Sequence, residues 1–192
     1  GDYDVDFTFT PAGPNYPGMV SGKVTVTVQD KTNAGVTING VPTTKTYGDA
    51  NFTLTAVKSS ADTGGTWNWA SSDDTILKIV SGGNTATATV QVLKADTTGA
   101  TLTVTYDSAT HYGTFTTASI TINKATVTVA AKNQSIYVGG TVPSLTPPVK
   151  GTHYTVTGLV GSDTLVGTLA MKYQKAGVDA TPTADTTGTY DI

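Results

Sequence analysis

Threonine and valine alternate along much of this chain, in "KVTVTVQ" at 23–29, "TATVQV" at 87–92 and "TLTVTY" at 101–106. Successive side chains of a strand point to opposite faces, so a period of two puts the apolar set on one side and the hydroxyls on the other. Both residue types branch at Cβ, which restricts χ1 and favours extended backbone. Threonine is about a fifth of the chain, far above ordinary usage. Glutamate and arginine, both good helix formers, are absent. With 21 glycines and 8 prolines as punctuation, the fold class is all-β.

Composition also excludes functions. There is no cysteine, hence no disulfide framework and no thiolate metal site. A net charge of −3 without arginine is unsuited to nucleic acid. No stretch of about 18 apolar residues is present to span a membrane as a helix. The first residues are acidic and alternating, unlike a secretion signal.

Asp2, Asp4 and Asp6 form a D-x-D-x-D row of the kind that can ligate calcium, yet Tyr3, Val5, Phe7 and Phe9 alternate with them. A calcium loop needs a central glycine and a closing carboxylate near its twelfth position. Here the acids stop and the strand continues, so the row reads as the wet face of a strand, with no metal and no cofactor expected. A Pro- and Gly-rich loop at 11–18 contains Tyr16, and Val20, Val24, Val26 and Val28 then alternate again. Residues 1–29 read as one β-hairpin, which is marginal in water by itself.

Internal repeats place it. "TLTVTYDSATHYGTFTTASITINK" at 101–124 has the plan of the first hairpin, with Tyr112 against Tyr16. "GVTINGVPTTKTYGDANFTL" resembles "ATVTVAAKNQSIYVGGTVPSL", matching Tyr47 with Tyr137, and "GTYDI" resembles "DYDVDF". The expected organisation is the closing hairpin of a preceding module (1–29), a complete module (30–123), and a module that stops before its last hairpin (124–192). In the middle module strands are predicted near 35–38, 51–57, 65–70, 76–80, 85–93, 101–107 and 114–122, a two-sheet sandwich. By alternation Phe52, Leu54, Ala56, Trp67, Trp69, Ala88, Val90, Val92, Leu102, Val104 and Tyr106 face its core. Phe115 and Ile120 fall out of phase, which predicts a bulge near Thr117.

Two resemblances follow from these motifs. "WNWASSDDTILKIV" at 67–80 resembles the group 2 bacterial immunoglobulin-like repeats, in which a strand tryptophan precedes a Ser-Ser-Asp turn. The second tryptophan and the long strands at 85–93 and 101–107 depart from that pattern. "AAKNQSIYVGGTVPSL", "YTVTGLVGSDTLVGTL" and "TGTYDI" resemble the MBG or YDG repeats of large bacterial surface proteins and adhesins, "TVTGLVGSDTL" at 155–165 most specifically. "TPPVK" at 146–150 is longer than that family's linker. The resemblances imply tandem immunoglobulin-like β-sandwich modules in an elongated arrangement, in an exported protein at the bacterial cell surface. Neither family carries a general active site.

The chain offers little catalytic chemistry. His111 and His153 are the only side chains that ordinarily titrate near neutrality. One per module falls short of a zinc site. A Ser-His-Asp triad exists by inventory only, without a G-x-S-x-G elbow. Asp73 and Asp74 are adjacent on a turn and are expected to shape it. Trp67 and Trp69 share one strand face: turned inward they fill the core, turned outward they make a platform for sugar. Tyr112 and Tyr154 would rim such a contact, or else pack over the sandwich ends. A spontaneous Lys–Asn crosslink of Lys124 with Asn39 or Asn123 would need an apolar pocket.

The expected function is a non-catalytic stalk or spacer in a large adhesin-like surface protein, in contact with neighbouring modules. The alternative is a module that binds cell-wall glycan or a host-surface ligand through Trp67, Trp69, Tyr112 and Tyr154. The segment "TINKATVTV" at 121–129 lacks Gly and Pro, so one strand is expected to run into the next and stiffen a rod. A further expectation is that residues 2–29 complete the 124–192 module of another copy, head to tail, or pack back on their own chain, because the first hairpin and the last module each lack what the other has; the alternative is that the hairpin stacks on the first strand of the middle module.

Overall fold

A computed structural model of the chain describes residues 2–9 and 20–182. They contain strands and no helix. The first hairpin consists of β1 (Asp2–Phe9) and β2 (Val20–Thr27) and pairs with no other strand. Asp4 and Asp6 share Lys23 at 3.8 and 3.7 Å, and Thr25 donates to Asp4. Tyr16, the side chains of Phe7 and Phe9, and the terminal "GTYDI" lie outside the described residues.

The central unit begins with β3 (Thr32–Asn33), β4 (Val36–Asn39), β5 (Thr44–Thr46) and β6 (Phe52–Lys58). It continues with β7 (Thr66–Ser71), β8 (Leu77–Ser81), β9 (Thr87–Val92) and β10 (Asp96–Ala100), then β11 (Leu102–Asp107), β12 (His111–Thr116) and β13 (Ile120–Asn123). One four-stranded sheet runs β4-β6-β9-β8 and another β3-β12-β11-β7, while β10-β13-β5 forms a smaller third. The two larger sheets lie over one apolar core, an arrangement consistent with a β-sandwich. Leu54, Ala88 and Val90 of one sheet and Trp69, Leu102 and Val104 of the other are buried in it, with Ile120 and Ile122 from the third. Phe52 and Trp67 are partly buried against its edge. Full burial of each aliphatic side chain contributes roughly 1.5–3 kcal/mol.

Turn chemistry sets the connections. The Asp73 carboxylate accepts from the Thr75 amide at 2.8 Å and from the Thr75 hydroxyl at 2.7 Å, shaping the turn before β8 as expected. The Thr75 hydroxyl is the main reason that this carboxyl sits below the usual range. Between β8 and β9, Gly82 has φ of 71°, and a Cβ there would fall 2.0 Å from the Thr87 carbonyl oxygen, so only glycine fits.

Three expectations change. No bulge forms at Thr117. Instead the chain leaves one sheet after β12 and enters another at β13, which puts Phe115 and Ile120 on opposite phases. Buried Thr117 marks the crossover, with its hydroxyl accepting from the Leu102 amide at 3.0 Å. The strands β3, β5 and β10 were not anticipated, because each is short and lacks alternation. The 121–129 segment is not one continuous strand either: β13 ends at Asn123 and β14 (Thr128–Ala131) begins after four intervening residues.

Past the centre, β14 pairs antiparallel with β15 (Tyr154–Thr157), and β16 (Gln174–Lys175) with β17 (Val178–Asp179). This C-terminal segment buries little: Leu145 and His153 are its buried residues among those described.

The structure also moves the internal repeat by one residue. In the turn Thr46–Asp49 the Asp49 amide donates to the Thr46 carbonyl at 3.0 Å, and Gly48 has φ of 93°. In the turn 137–140 the Gly140 amide donates to the Tyr137 carbonyl at 2.9 Å, and Gly139 has φ of 80°. Tyr47 therefore corresponds to Val138, not to Tyr137. The same spacing carries Val36 onto Val127, Ile38 onto Val129 and Leu54 onto Leu145.

Candidate functional site

The turn after β5 meets the C-terminal segment. Its shape is fixed locally: the Asp49 carboxylate accepts from the Thr46 amide at 2.9 Å and pairs with Lys45 at 3.3 Å. The Thr46 amide is the larger cause of that carboxyl's lowered pKa. Parallel pairing of β5 with β13 continues into a bond from the Tyr47 amide to the Asn123 carbonyl at 2.9 Å, which fastens the turn to the exit of the central unit.

From the other side comes the loop after β15. Gly158 has φ of 85°, and a Cβ on it would lie 2.1 Å from the Thr126 carbonyl oxygen, so the loop leaves close against the connecting segment. A turn closed by the Asp163 amide on the Val160 carbonyl at 3.0 Å then presents both residues. Val160 covers Gly48 so closely that a Cβ there would stand 2.5 Å from Val160 Cγ2. The Tyr47 hydroxyl donates to Asp163 at 3.4 Å. That bond, first, and the partial burial of the ring push the Tyr47 phenol above its ordinary value. Tyr47 stood in the sequence as a repeat position and "TVTGLVGSDTL" as a separate motif; the structure brings them together as one joint.

A second cluster sits at the opposite end of the central unit. Asp62 accepts from the Tyr106 hydroxyl at 2.8 Å, and the Tyr106 oxygen accepts from the Gly65 amide at 3.1 Å. Lys58 lies 4.9 Å from the centre of the Tyr106 ring and donates to the carbonyls of Ser60 and Asp62. His111 Nδ1 is 3.9 Å from Asp62 and 2.8 Å from the Thr110 hydroxyl. Hydrogen bonds from Ser108, then Tyr106, hold the Asp62 carboxyl below its usual range. Burial and the Asp62 bond push Tyr106 up. Ser, His and Asp thus lie together, but the Ser108 hydroxyl oxygen takes its bond from the His111 main-chain amide at 2.9 Å. The hydroxyl–imidazole contact that would activate a nucleophile is not among these bonds. The geometry is that of a loop anchor, tying residues 58–65 to β11. Nothing in the sequence pointed to Asp62; Gly65, whose missing Cβ lets the chain pass the Tyr106 ring, was its one signal.

The other predicted residues do not assemble. Trp69 is buried, and its indole donates to the Thr85 carbonyl at 2.9 Å. Trp67 is half-buried, its ring centre 4.8 Å from that of Tyr106. The two rings therefore make no open platform. Tyr112 is exposed on β12, while Tyr154 is half-buried on β15 in the C-terminal segment. His153 is buried and accepts from the Val149 amide at 2.9 Å, a local structural bond. Asn39, Asn123 and Lys124 are all exposed, so the apolar pocket that a Lys–Asn crosslink requires does not surround them. An open cleft of about 360 Å³ lies between Leu145, Met171, Tyr173 and Ala180, edged by the Lys172–Asp179 ion pair at 2.6 Å. Among the described residues no group of three potential ligands is placed to hold a metal ion.

No protein-family model, no curated protein and no solved structure matches this chain.

Proposed function

We propose that the chain is a non-catalytic spacer from a large, adhesin-like bacterial cell-surface protein, built of tandem immunoglobulin-like modules that hold other domains apart. The observation that carries this reading is the joint at Tyr47, Gly48, Val160 and Asp163. A spacer needs fixed angles between successive units, and a connection braced on two sides supplies them where a bare linker would not. The strand order of the central unit, β4-β6-β9-β8 against β7-β11-β12, follows the ABED and CFG order of immunoglobulin constant domains and supports the module type. Outward threonines keep such a unit wettable with little charge. A glycan array probed with the intact chain tests the reading. A spacer gives no saturable binding. Reproducible binding lost in Trp67→Ala, with the fold retained, would replace it with the ligand-binding alternative.

A further inference from the structure

The first hairpin has two unlike faces. Asp2, Asp4 and Asp6 stand opposite Thr27, Thr25 and Lys23 on one. On the other, Tyr3 pairs with Val26 and Val5 with Val24, and these four are 65, 48, 52 and 56% exposed in that order. An apolar ladder of this kind normally lies against a second layer, and a two-stranded hairpin alone is marginal in water.

The β14–β15 pair is short of the same thing. Val127 and Val129 are 40 and 39% exposed, whereas their counterparts in the central unit, Val36 and Ile38, are 7 and 8% exposed. What covers the counterparts is visible: the β11–β12 hairpin passes over β4 so closely that a Cβ on Gly113 would come 2.7 Å from Val36 Cγ2. In pairing register the first hairpin matches β11–β12, with Val5 opposite Val24 and Phe7 opposite Gly22 as Val104 is opposite Phe115 and Tyr106 opposite Gly113, and β14–β15 matches β4–β6, with Val129 opposite Val156 as Ile38 is opposite Ala56. Among the described residues the two strand pairs share no ladder, and the valines on both faces stay exposed.

We infer that the apolar face of the β1–β2 hairpin docks on the β14–β15 face of a second copy of this chain, in the way β11–β12 covers β4. The contact is heterologous, since each copy offers one donor face and one acceptor face, so association grows head to tail unless the rotation closes a ring. It stands apart from the spacer reading, because it rests on the two faces and not on the joint.

Sedimentation velocity on the full chain, over micromolar to near-millimolar concentration, is the test. The expected result is an average mass that rises with concentration. Val24→Lys and Val129→Lys each place a charge on one face at a position exposed enough for the lysine to reach water. Each variant alone should remain monomeric, with an unchanged circular dichroism spectrum. Mixed in equal amounts they should recover association that stops at a one-to-one complex, because each keeps the face the other has lost. A wild-type chain that stays monomeric throughout overturns the inference. So does a Val129→Lys chain that associates like wild type, or a mixture that does not associate.

Discussion

The Tyr47 hydroxyl donates to Asp163 at 3.4 Å across 116 positions of sequence, and beside it Val160 fills the space that a side chain at position 48 would need. The polar contact and the apolar one depend on each other. The glycine lets the loop come close, and closeness puts the carboxylate within reach of the phenol.

Tyr47 should therefore titrate late. A phenol that donates to a carboxylate loses that bond and faces a like charge on ionising, which raises its pKa above the ordinary value near 10. The difference between ultraviolet titrations of the chain and of Tyr47→Phe isolates this group. Its midpoint should lie above 10 and fall toward 10 in Asp163→Asn. Because the folded value is the raised one, the contribution to stability is complete below about pH 10 and is lost as pH rises through the folded pKa.

Asp62 should show the opposite dependence. Its lowered folded pKa means stability that is present above the unfolded value near 4 and lost as pH falls through the folded one. Asn at this position can still accept from Tyr106. Urea melts between about pH 6 and pH 2 should show a shallower acid loss for Asp62→Asn than for the unaltered chain. Parallel curves would mean that the carboxylate is not held as the Ser108 and Tyr106 bonds imply.

Two glycines with like backbone make a controlled pair. Gly82 and Gly64 have φ of 71° and 89°, but only at Gly82 would a Cβ strike backbone, 2.0 Å from the Thr87 oxygen. Alanine at 64 should cost about 1 kcal/mol from strain alone. Alanine at 82 should cost clearly more, of the order of 2–3 kcal/mol, because the hairpin must also shift. Chemical denaturation reads both, and equal costs would contradict the close approach.

The tryptophans should separate as well. Trp69→Ala empties a core position and should destabilise by about 3–5 kcal/mol, while half-buried Trp67 should cost less. Emission from Trp67→Phe, which leaves only Trp69, should be blue-shifted relative to Trp69→Phe.

Much of this architecture was legible in the sequence, for a physical reason. Alternation is a local record of which face is buried, so Leu54, Val90, Leu102 and Val104 could be placed from their own neighbours. What failed was non-local. Nothing near Thr117 says that the strand changes sheets, since the partners that decide it, β10 and β5, are themselves short and unpatterned. Matching Tyr47 to Tyr137 followed side-chain identity, whereas the backbone turn follows the glycine. The joint was half visible: Tyr47 stood out as a repeat position and "TVTGLVGSDTL" as a motif, but contact between a turn and a loop so far apart leaves no periodic trace. Asp62 left less still, because a single carboxylate in a loop looks the same whether it anchors a tyrosine or faces water.

The central claim is that the joint fixes one orientation between the central unit and the C-terminal segment, and it can be measured directly. The chain has no cysteine, so Lys78→Cys on β8 and Thr157→Cys on β15, both exposed, accept spin labels cleanly. Double electron–electron resonance at a dilution that keeps the chain monomeric should give one narrow distance distribution, and that distribution should broaden when Gly48→Leu pushes the Val160 loop away. A broad distribution in the unaltered joint, unchanged by Gly48→Leu, would contradict the account.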